Sequence, residues 1–223
     1  MKHAVELVFR IALVAFIWVI WWWAINAPLS NLMNLSIIVG GALLMIPSVW
    51  LGRKILDRYH TTGRVAWITT FVHCAIGLTF GVALMRALTT HHEWSLWVLP
   101  VPAEVGLLLV IVTGAASFLS VMNLAWKGFG APFFIALSQK LSSDWMYAWT
   151  RNPMLLAGFG FLLSLGIMFQ STLFVLWVLI IVIPEFLFFV KVYEERELEF
   201  RFGASYLEYK SRTPMLFPRK PGR

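Results

Sequence analysis

The sequence of 223 residues is poor in charged side chains and in cysteine. Asp, Glu, Lys and Arg make up 13% of it, hydrophobic residues make up 60%, and the mean hydropathy is +0.77. A typical soluble domain contains about 25% charged residues, so this composition excludes one. The single cysteine, Cys74, excludes an internal disulfide and a thiolate-rich metal site, and we expect it to pack within an apolar run. The sequence therefore predicts an integral membrane protein.

Long apolar runs are the main feature of the chain, and each has about the length needed to cross a hydrocarbon core of ~30 Å as a helix. The six runs cover residues 7–25, 35–51, 65–88, 104–126, 153–170 and 172–190. We therefore predict an all-α, polytopic membrane protein with about six transmembrane helices. Residues 1–126 are assigned to an N-terminal scaffold and residues 127–223 to a C-terminal functional region.

The charged tail that follows the last run shows a second pattern. Its apolar side chains recur at helical spacing at Leu198, Phe202, Tyr206 and Tyr209. This spacing predicts an amphipathic helix that lies on the lipid headgroups.

Positive charge is confined to one set of connections. All Lys and Arg except Arg10 and Arg86 lie before the first run, after the second or fourth run, or in the tail, and the other connections contain none. Cationic loops face the cytoplasm, so this distribution predicts that both termini are cytoplasmic. The net charge of +7 is then explained by anionic lipid, and the lipid bilayer rather than nucleic acid is the expected partner.

The last two apolar runs are separated by so short a turn that they must form an antiparallel hairpin. The hairpin brings Arg151, Asn152 and Pro153 beside Glu194 and Glu195 at one membrane face. Asn followed by Pro is a good helix start whose free N–H groups attract anions. Adjacent glutamates point about 100° apart on a helix, so we expect them to have different partners. Taken alone, these residues are better explained as a ring of solvated charges at the lipid interface, which is a common feature.

A set of polar and aromatic residues extends across the C-terminal third in a defined order. It comprises Tyr147, Arg151-Asn152-Pro153-Met154, the hairpin, Glu194-Glu195-Arg196-Glu197-Leu198, Phe202-Gly203, Tyr206, Tyr209, Pro214 and Pro218. In order and spacing this set resembles the isoprenylcysteine carboxyl methyltransferase and phospholipid methyltransferase superfamily of integral membrane enzymes. Residues 128–132 are similar to a Gly-x-Gly-Thr-Pro turn of some bacterial members.

This resemblance implies that S-adenosylmethionine is the methyl donor, held between the Arg-Asn-Pro turn and the Glu-Glu helix. It implies catalytic roles for Arg151 and Glu195, and no metal. The cofactor contacts that it implies are Tyr147, Arg151, Asn152, Pro153, Gly158, Glu194, Glu195, Tyr206 and Tyr209. The implied acceptor is a lipid-like or prenylcysteine-like amphipathic molecule, methylated on a carboxyl, amine or thiol group. A bacterial inner-membrane location and no obligate protein partner are expected.

Two other functions fit parts of the sequence. Membrane reductases that use NADPH share this C-terminal architecture, although they carry Arg and Cys where this chain has its two adjacent glutamates. A non-enzymatic membrane protein could use the intramembrane residues Arg10, His73, Arg86 and Glu185 as a pathway. Glu185 is expected to act as a base or to pair with Arg86 or Arg10. Departures from the family pattern at Trp145, Met146, Leu155 and Ala157 leave the acceptor open.

Overall fold

The computed structural model describes residues 2–94, 97–128, 138 and 140–220. These residues are predominantly helical. The helices are α1 (Lys2–Asn26), α2 (Asn31–Leu43), α3 (Met45–Arg58), α4 (Thr62–Thr90), α5 (Ala103–Gly128), α6 (Met146–Trp149), α7 (Pro153–Met168), α8 (Thr172–Trp177), α9 (Ile183–Phe189), α10 (Glu195–Phe202) and α11 (Ala204–Arg212). Two π-helical segments, Val178–Val182 and Val190–Glu194, join α8 to α9 and α9 to α10. The prediction of an all-α fold is confirmed for this part of the chain.

Five of the described helical stretches are long and apolar enough to cross a membrane, and a sixth apolar helix is shorter. The five are Glu6–Asn26, Asn31–Arg58, Gly63–Glu93, Ala103–Trp126 and Thr172–Phe202. The fifth predicted span, by contrast, is the 16-residue α7, which is about 24 Å long and therefore shorter than the ~30 Å core. It ends early because the chain turns at Gln170, which has a positive φ of 53°.

The sequence explains where several helices begin and end. Ser30 caps α2 by accepting a hydrogen bond from the Met33 N–H, and Ser171 caps α8 in the same way with the Phe174 N–H. Helix α2 ends at Leu43 because Pro47 has no N–H for the carbonyl four residues earlier. The helical stretch from Thr172 to Phe202 corresponds to the sixth predicted span and is longer than predicted.

Partners in the bundle define two ends of the molecule. At the site end, named for Arg151 and Glu195, the Thr69 hydroxyl of α4 is hydrogen-bonded to that of Tyr193, and Arg10 of α1 lies over the nearby Trp67 ring. At the opposite turn end, named for Phe169 and Gln170, the Phe169 ring stacks on His91 just after α4. Successive long helices thus run in alternating directions, and the start of α1 lies at the same end of the bundle as α10.

A buried apolar cluster between α2, α3, α4 and the long C-terminal helix forms the main core, with Met45, Val49, Val178, Val182 and Tyr193 almost inaccessible. A smaller cluster joins α1 to α4 through Ile17 and Cys74, which confirms the packing role predicted for the cysteine. Helix α5 packs along α7, and at Gly106 an added Cβ would overlap the backbone of Ile167 and Met168.

The tail differs from the predicted amphipathic helix. It consists of α10 and α11, which meet at Gly203, where φ is 55° and ψ is −130°. Tyr206 and Tyr209 are buried against the rest of the protein rather than turned toward headgroups. The spacing of the apolar residues, which predicted a single helix, gives no sign of this break. The break depends on one glycine in a conformation that other residues rarely adopt.

Candidate active site

The hairpin brings Arg151 and Glu195 into direct contact, as the sequence predicts. The Arg151 guanidinium donates to the Glu195 carboxylate, and both side chains are about nine-tenths buried. The same guanidinium donates to the carbonyls of Lys210, at 2.9 Å, and Thr213, at 2.6 Å. Arg151 therefore joins the start of α7, the start of α10 and the end of α11, and its Nη donors are already engaged within the protein.

Lys210 is the second cation of this group. Its Nζ lies 2.8 Å from Glu195 Oε2 and 3.0 Å from Glu199 Oε1. Burial disfavours the charged form, but the hydrogen bonds to these two carboxylates outweigh it and raise the pKa of Lys210. The Glu195 carboxylate is therefore held by one cation on each oxygen.

Glu194 has a different environment from its neighbour. Its side chain is half-buried, and it makes no hydrogen bond or ion pair with any residue that the structure describes. The adjacent glutamates differ as expected in that Glu195 meets Arg151, whereas a ligand contact for Glu194 stays a prediction. The group of charges at this end thus leaves one carboxylate available.

Three tyrosines surround this carboxylate and its neighbours. Tyr147, Tyr206 and Tyr209 are buried, and the Tyr209 hydroxyl donates to the Tyr147 carbonyl at 2.7 Å. Burial, together with the nearby Glu194 charge, raises the pKa of Tyr147 above its ordinary value. Burial and the charges of Glu195 and Glu194 do the same for Tyr206. These phenols therefore stay protonated at neutral pH and can donate hydrogen bonds but cannot act as general bases.

The last part of the tail packs over the chain around Asn152. Asn152 Nδ2 donates to the Met215 carbonyl at 2.9 Å, and the Thr150 hydroxyl donates to the same carbonyl at 3.1 Å. The Arg151 N–H donates to the Pro214 carbonyl at 2.9 Å. Residues 213–215 therefore lie across the start of α7. Pro153 is the first residue of that helix, as predicted.

Gly158 lies one to two turns further along α7, and a Cβ added to it would meet no atom within 4 Å. The space beside it is open, whereas Gly160 packs against Thr113. Gly158 therefore has room for a ligand next to it and is not required for the helix contact that Gly160 makes.

A second ion-pair group stabilises the outer side of α10. Arg196 bridges Glu199 and Asp57, each at 3.1 Å, and Asp57 also accepts from Arg53 at 2.6 Å. Arg53 also donates to the carbonyl of Val192, in the second π segment, at 2.7 Å. These contacts fix α10 against α3 and so hold the direction in which Glu194 and Glu195 point.

Sequence reasoning missed several of these partners. Lys210, Thr150 and Met215 contact the predicted site residues, and the buried Glu197 pairs with Arg201 at 2.8 Å. The position of Glu197 in the Glu-Glu-Arg-Glu run could have identified it as a candidate. No sequence pattern indicates Lys210, because its position depends on the chain reversal at Gly203.

The two intramembrane arginines have separate partners. Arg86 at the turn end donates to the Asn34 side chain and to the carbonyls of Ala24 and Ala27, while Arg10 pairs with Glu6 at the site end. Arg10 and Arg86 thus lie at opposite ends of the bundle, which disfavours a continuous pathway through them. The expectation that Glu185 pairs with either arginine is wrong.

Glu185 is 3% exposed, and neither of its carboxylate oxygens has a hydrogen-bond partner among the described residues. It lies in α9, the short helix between the two π-helical segments. Widened turns of this kind are frequent at functional sites, but Glu185 is about ten residues, or roughly 15 Å of helix, from Glu195.

Two cavities occur elsewhere among the described residues. An apolar cavity of about 270 Å³ near Ser171 and Phe174 lies toward the turn end. A second, of about 370 Å³, lies between the end of α3 and the start of α4. Neither is lined by Arg151, Glu194 or Glu195. The turn expected at residues 128–132 falls mostly outside the described residues.

Comparison with known proteins identifies a family match in the C-terminal half of the chain. Residues 102–205 match the model of the phospholipid methyltransferase family, which confirms the resemblance seen in the sequence. The matched segment begins at α5, before the predicted boundary at residue 127, and ends in α11. No curated protein and no solved structure matches the chain. The family match indicates a membrane methyltransferase.

Proposed function

We propose that this chain, whose residues 102–205 match the phospholipid methyltransferase family, transfers a methyl group from S-adenosylmethionine to a lipid-like acceptor. The observation that carries the proposal is Glu194, a half-buried carboxylate without a described partner that lies near the buried Tyr147 and Tyr206. Unpaired carboxylates are costly to bury, so a site that keeps one is suited to a cationic or hydroxylated ligand.

The residues present fit this cofactor. When bound, S-adenosylmethionine supplies an electrophilic methyl group on a sulfonium. Glu194 would accept hydrogen bonds from its amine or ribose hydroxyls, and the faces of Tyr147 and Tyr206 suit a cationic sulfur. The first N–H groups of α7, after Asn152 and Pro153, suit a carboxylate. The open space beside Gly158 leaves room for further ligand atoms.

Arg151 and Glu195 would then act mainly by positioning. Their ion pair and the Lys210 contact hold α7, α10 and α11 together, so the tyrosines and Glu194 keep fixed directions. Fixed groups of this kind align donor and acceptor and exclude water, which is the main contribution that a protein makes to a direct displacement. Arg151 Nε is buried without a described partner and is the remaining donor that a ligand could use.

The acceptor is proposed to be an amphipathic molecule that reaches the site end from the bilayer and carries a carboxyl, amine or thiol group. The proposal places the site end, with both termini, in the cytoplasm, where a soluble cofactor is available. It is supported by the concentration of Lys and Arg in the segments at that end.

Methyl transfer by the purified protein tests this function. The protein in lipid nanodiscs, given S-adenosylmethionine labelled with tritium on the methyl group, should transfer label to the lipid phase of a bacterial membrane extract. The Glu194→Gln variant should transfer the label roughly ten- to a hundredfold more slowly, which is the effect of removing a hydrogen bond to a charged group. Glu208→Gln is the matched control, because this carboxylate is exposed and lies in α11.

If no labelled product appeared in the membrane extract, the result would contradict methyl transfer. Oxidation of NADPH by the same preparation, in place of labelling, would instead support the membrane reductase.

A further inference from the structure

The cavity between the end of α3 and the start of α4 has features of a lipid site. Its volume is about 370 Å³, within the range of ligand pockets, and it is lined by Ile55, Tyr59, Arg64, Trp67, Ile68 and Phe71. Ile55, Tyr59 and Phe71 are well exposed on the surface of the protein, so the cavity opens outward. It combines an apolar wall with one cation, and it belongs to the site end, because Trp67 also contacts Arg10.

A second cation lies beside the first. The Arg58 guanidinium carbon is 5.5 Å from the centre of the Tyr59 ring, and that of Arg64 is 5.7 Å from the same centre. Their guanidinium groups are therefore at most about 11 Å apart. Neither forms an ion pair with a described carboxylate, in contrast to the nearby Arg53 and Arg196. The two guanidinium groups thus flank one aromatic ring, and no described carboxylate balances their positive charge.

The nearest carboxylate in the sequence does not supply that anion. Asp57 precedes Arg58 directly, but it accepts from Arg53 at 2.6 Å and from Arg196 at 3.1 Å. Its charge is therefore already balanced by two other arginines.

We infer that Arg58, Tyr59 and Arg64 bind the phosphate of an anionic phospholipid, one chain of which lies along Ile55, Ile68 and Phe71. The chemistry of the site selects this ligand. Two guanidinium groups suit a phosphate, Tyr and Trp are typical of the headgroup level, and the apolar wall continues from there along α4 toward the membrane interior. A soluble phosphate would leave the apolar part of the cavity unfilled. This site is separate from Glu194 and the neighbouring Tyr147 and Tyr206, here called the Glu194 cluster, and it does not rest on the proposed function.

Native mass spectrometry of the detergent-purified full chain tests the site, with phosphatidylglycerol, phosphatidylcholine and inorganic phosphate as separate probes. The unmodified protein should retain phosphatidylglycerol in preference to phosphatidylcholine. Arg58→Gln/Arg64→Gln should weaken that binding by about tenfold or more, since the variant removes both cations that attract the anionic headgroup. The charge-matched control, Arg212→Gln/Lys220→Gln, alters exposed cations elsewhere in the tail and should bind normally.

A third variant keeps both cations and fills the cavity. Ile55 is 38% exposed, so Ile55→Trp is expected to fold and to reduce retention of phosphatidylglycerol by blocking the place of the chain. An equal loss of phosphatidylglycerol binding in the double variant and in its charge-matched control would overturn the proposal. So would unchanged binding in Ile55→Trp, or inorganic phosphate competing as well as the lipid does.

Discussion

Glu194 and Glu195 are neighbours in sequence with different surroundings. Glu195 has a cation on each oxygen, from Arg151 and Lys210, whereas Glu194 has no described partner. The difference follows from helical geometry, because adjacent side chains point about 100° apart and only one of them faces the start of α7. A residue that holds the fold and a residue that meets a ligand should respond differently to the same substitution.

Replacing Glu195 by Gln should destabilise the protein. The substitution leaves Arg151 buried with no charge to balance it, and breaking one partner of a buried pair costs about 3–5 kcal/mol. Thermal unfolding in detergent, followed by intrinsic tryptophan fluorescence, should show a clearly lower Tm.

Glu208→Gln is the control for this effect, since its pair with Arg212 is exposed and such pairs contribute about 0–1 kcal/mol. Equal Tm values for the two variants would show that the Arg151–Glu195 pair does not hold the tail.

Gly203 illustrates how one residue sets the position of an element. Its φ of 55° and ψ of −130° suit glycine and strain other residues, so Gly203→Ala should cost about 1–3 kcal/mol. Relief of the strain would pull α11 away and remove the Lys210 and Thr213 contacts of Arg151. Limited proteolysis should cut the tail of this variant faster than that of the unmodified chain.

The neighbouring Ser205 is exposed and provides the comparison, since Ser205→Ala leaves the backbone unchanged. A Gly203→Ala tail as resistant as the Ser205→Ala tail would mean that the chain reversal tolerates a side chain.

The contact between α5 and α7 depends on a second glycine. A Cβ at Gly106 would overlap the backbone of Ile167 and Met168, so Gly106→Ala must separate the two helices. Overpacking of this kind costs about 1–3 kcal/mol. The measurement is Tm in detergent, with Gly40→Ala as the control, because a Cβ at Gly40 meets nothing within 4 Å. A Gly106→Ala protein as stable as the Gly40→Ala protein would disprove the close approach.

At the level of elements, the sequence predicted what depends on local rules. The length of the apolar runs predicted the helices, and the short turn near Ser171 predicted that Arg151 meets the Glu-Glu pair. The two π-helical segments and the 16-residue length of α7 could not be read from hydropathy, since both depend on how the helices pack. Lys210 was missed for the same reason, because it reaches Glu195 only after the reversal at Gly203.

At the level of the whole molecule, the start of α1 and the described part of the tail lie at the same end of the bundle. Arg10, near the start of α1, contacts Trp67, and the tail docks on Arg151 at the same end. Most Lys and Arg lie in the segments at that end, which favours a cytoplasmic location for it.

Labelling of introduced cysteines tests this arrangement. In a Cys74→Ala background, Lys54→Cys and Lys220→Cys should react with a membrane-impermeant maleimide only in inside-out vesicles. Trp97→Cys, next to the hairpin turn, should react only in right-side-out vesicles. Labelling of Lys54→Cys and Lys220→Cys from opposite sides would rule out the common end.

The central claim is that the Glu194 cluster binds S-adenosylmethionine, and titration calorimetry with its product S-adenosylhomocysteine tests it most directly. The unmodified protein and Glu208→Gln should bind the product equally, and Glu194→Gln should bind it roughly ten- to a hundredfold more weakly at an unchanged Tm. No binding by the unmodified protein, or the same affinity in Glu194→Gln, would contradict the account.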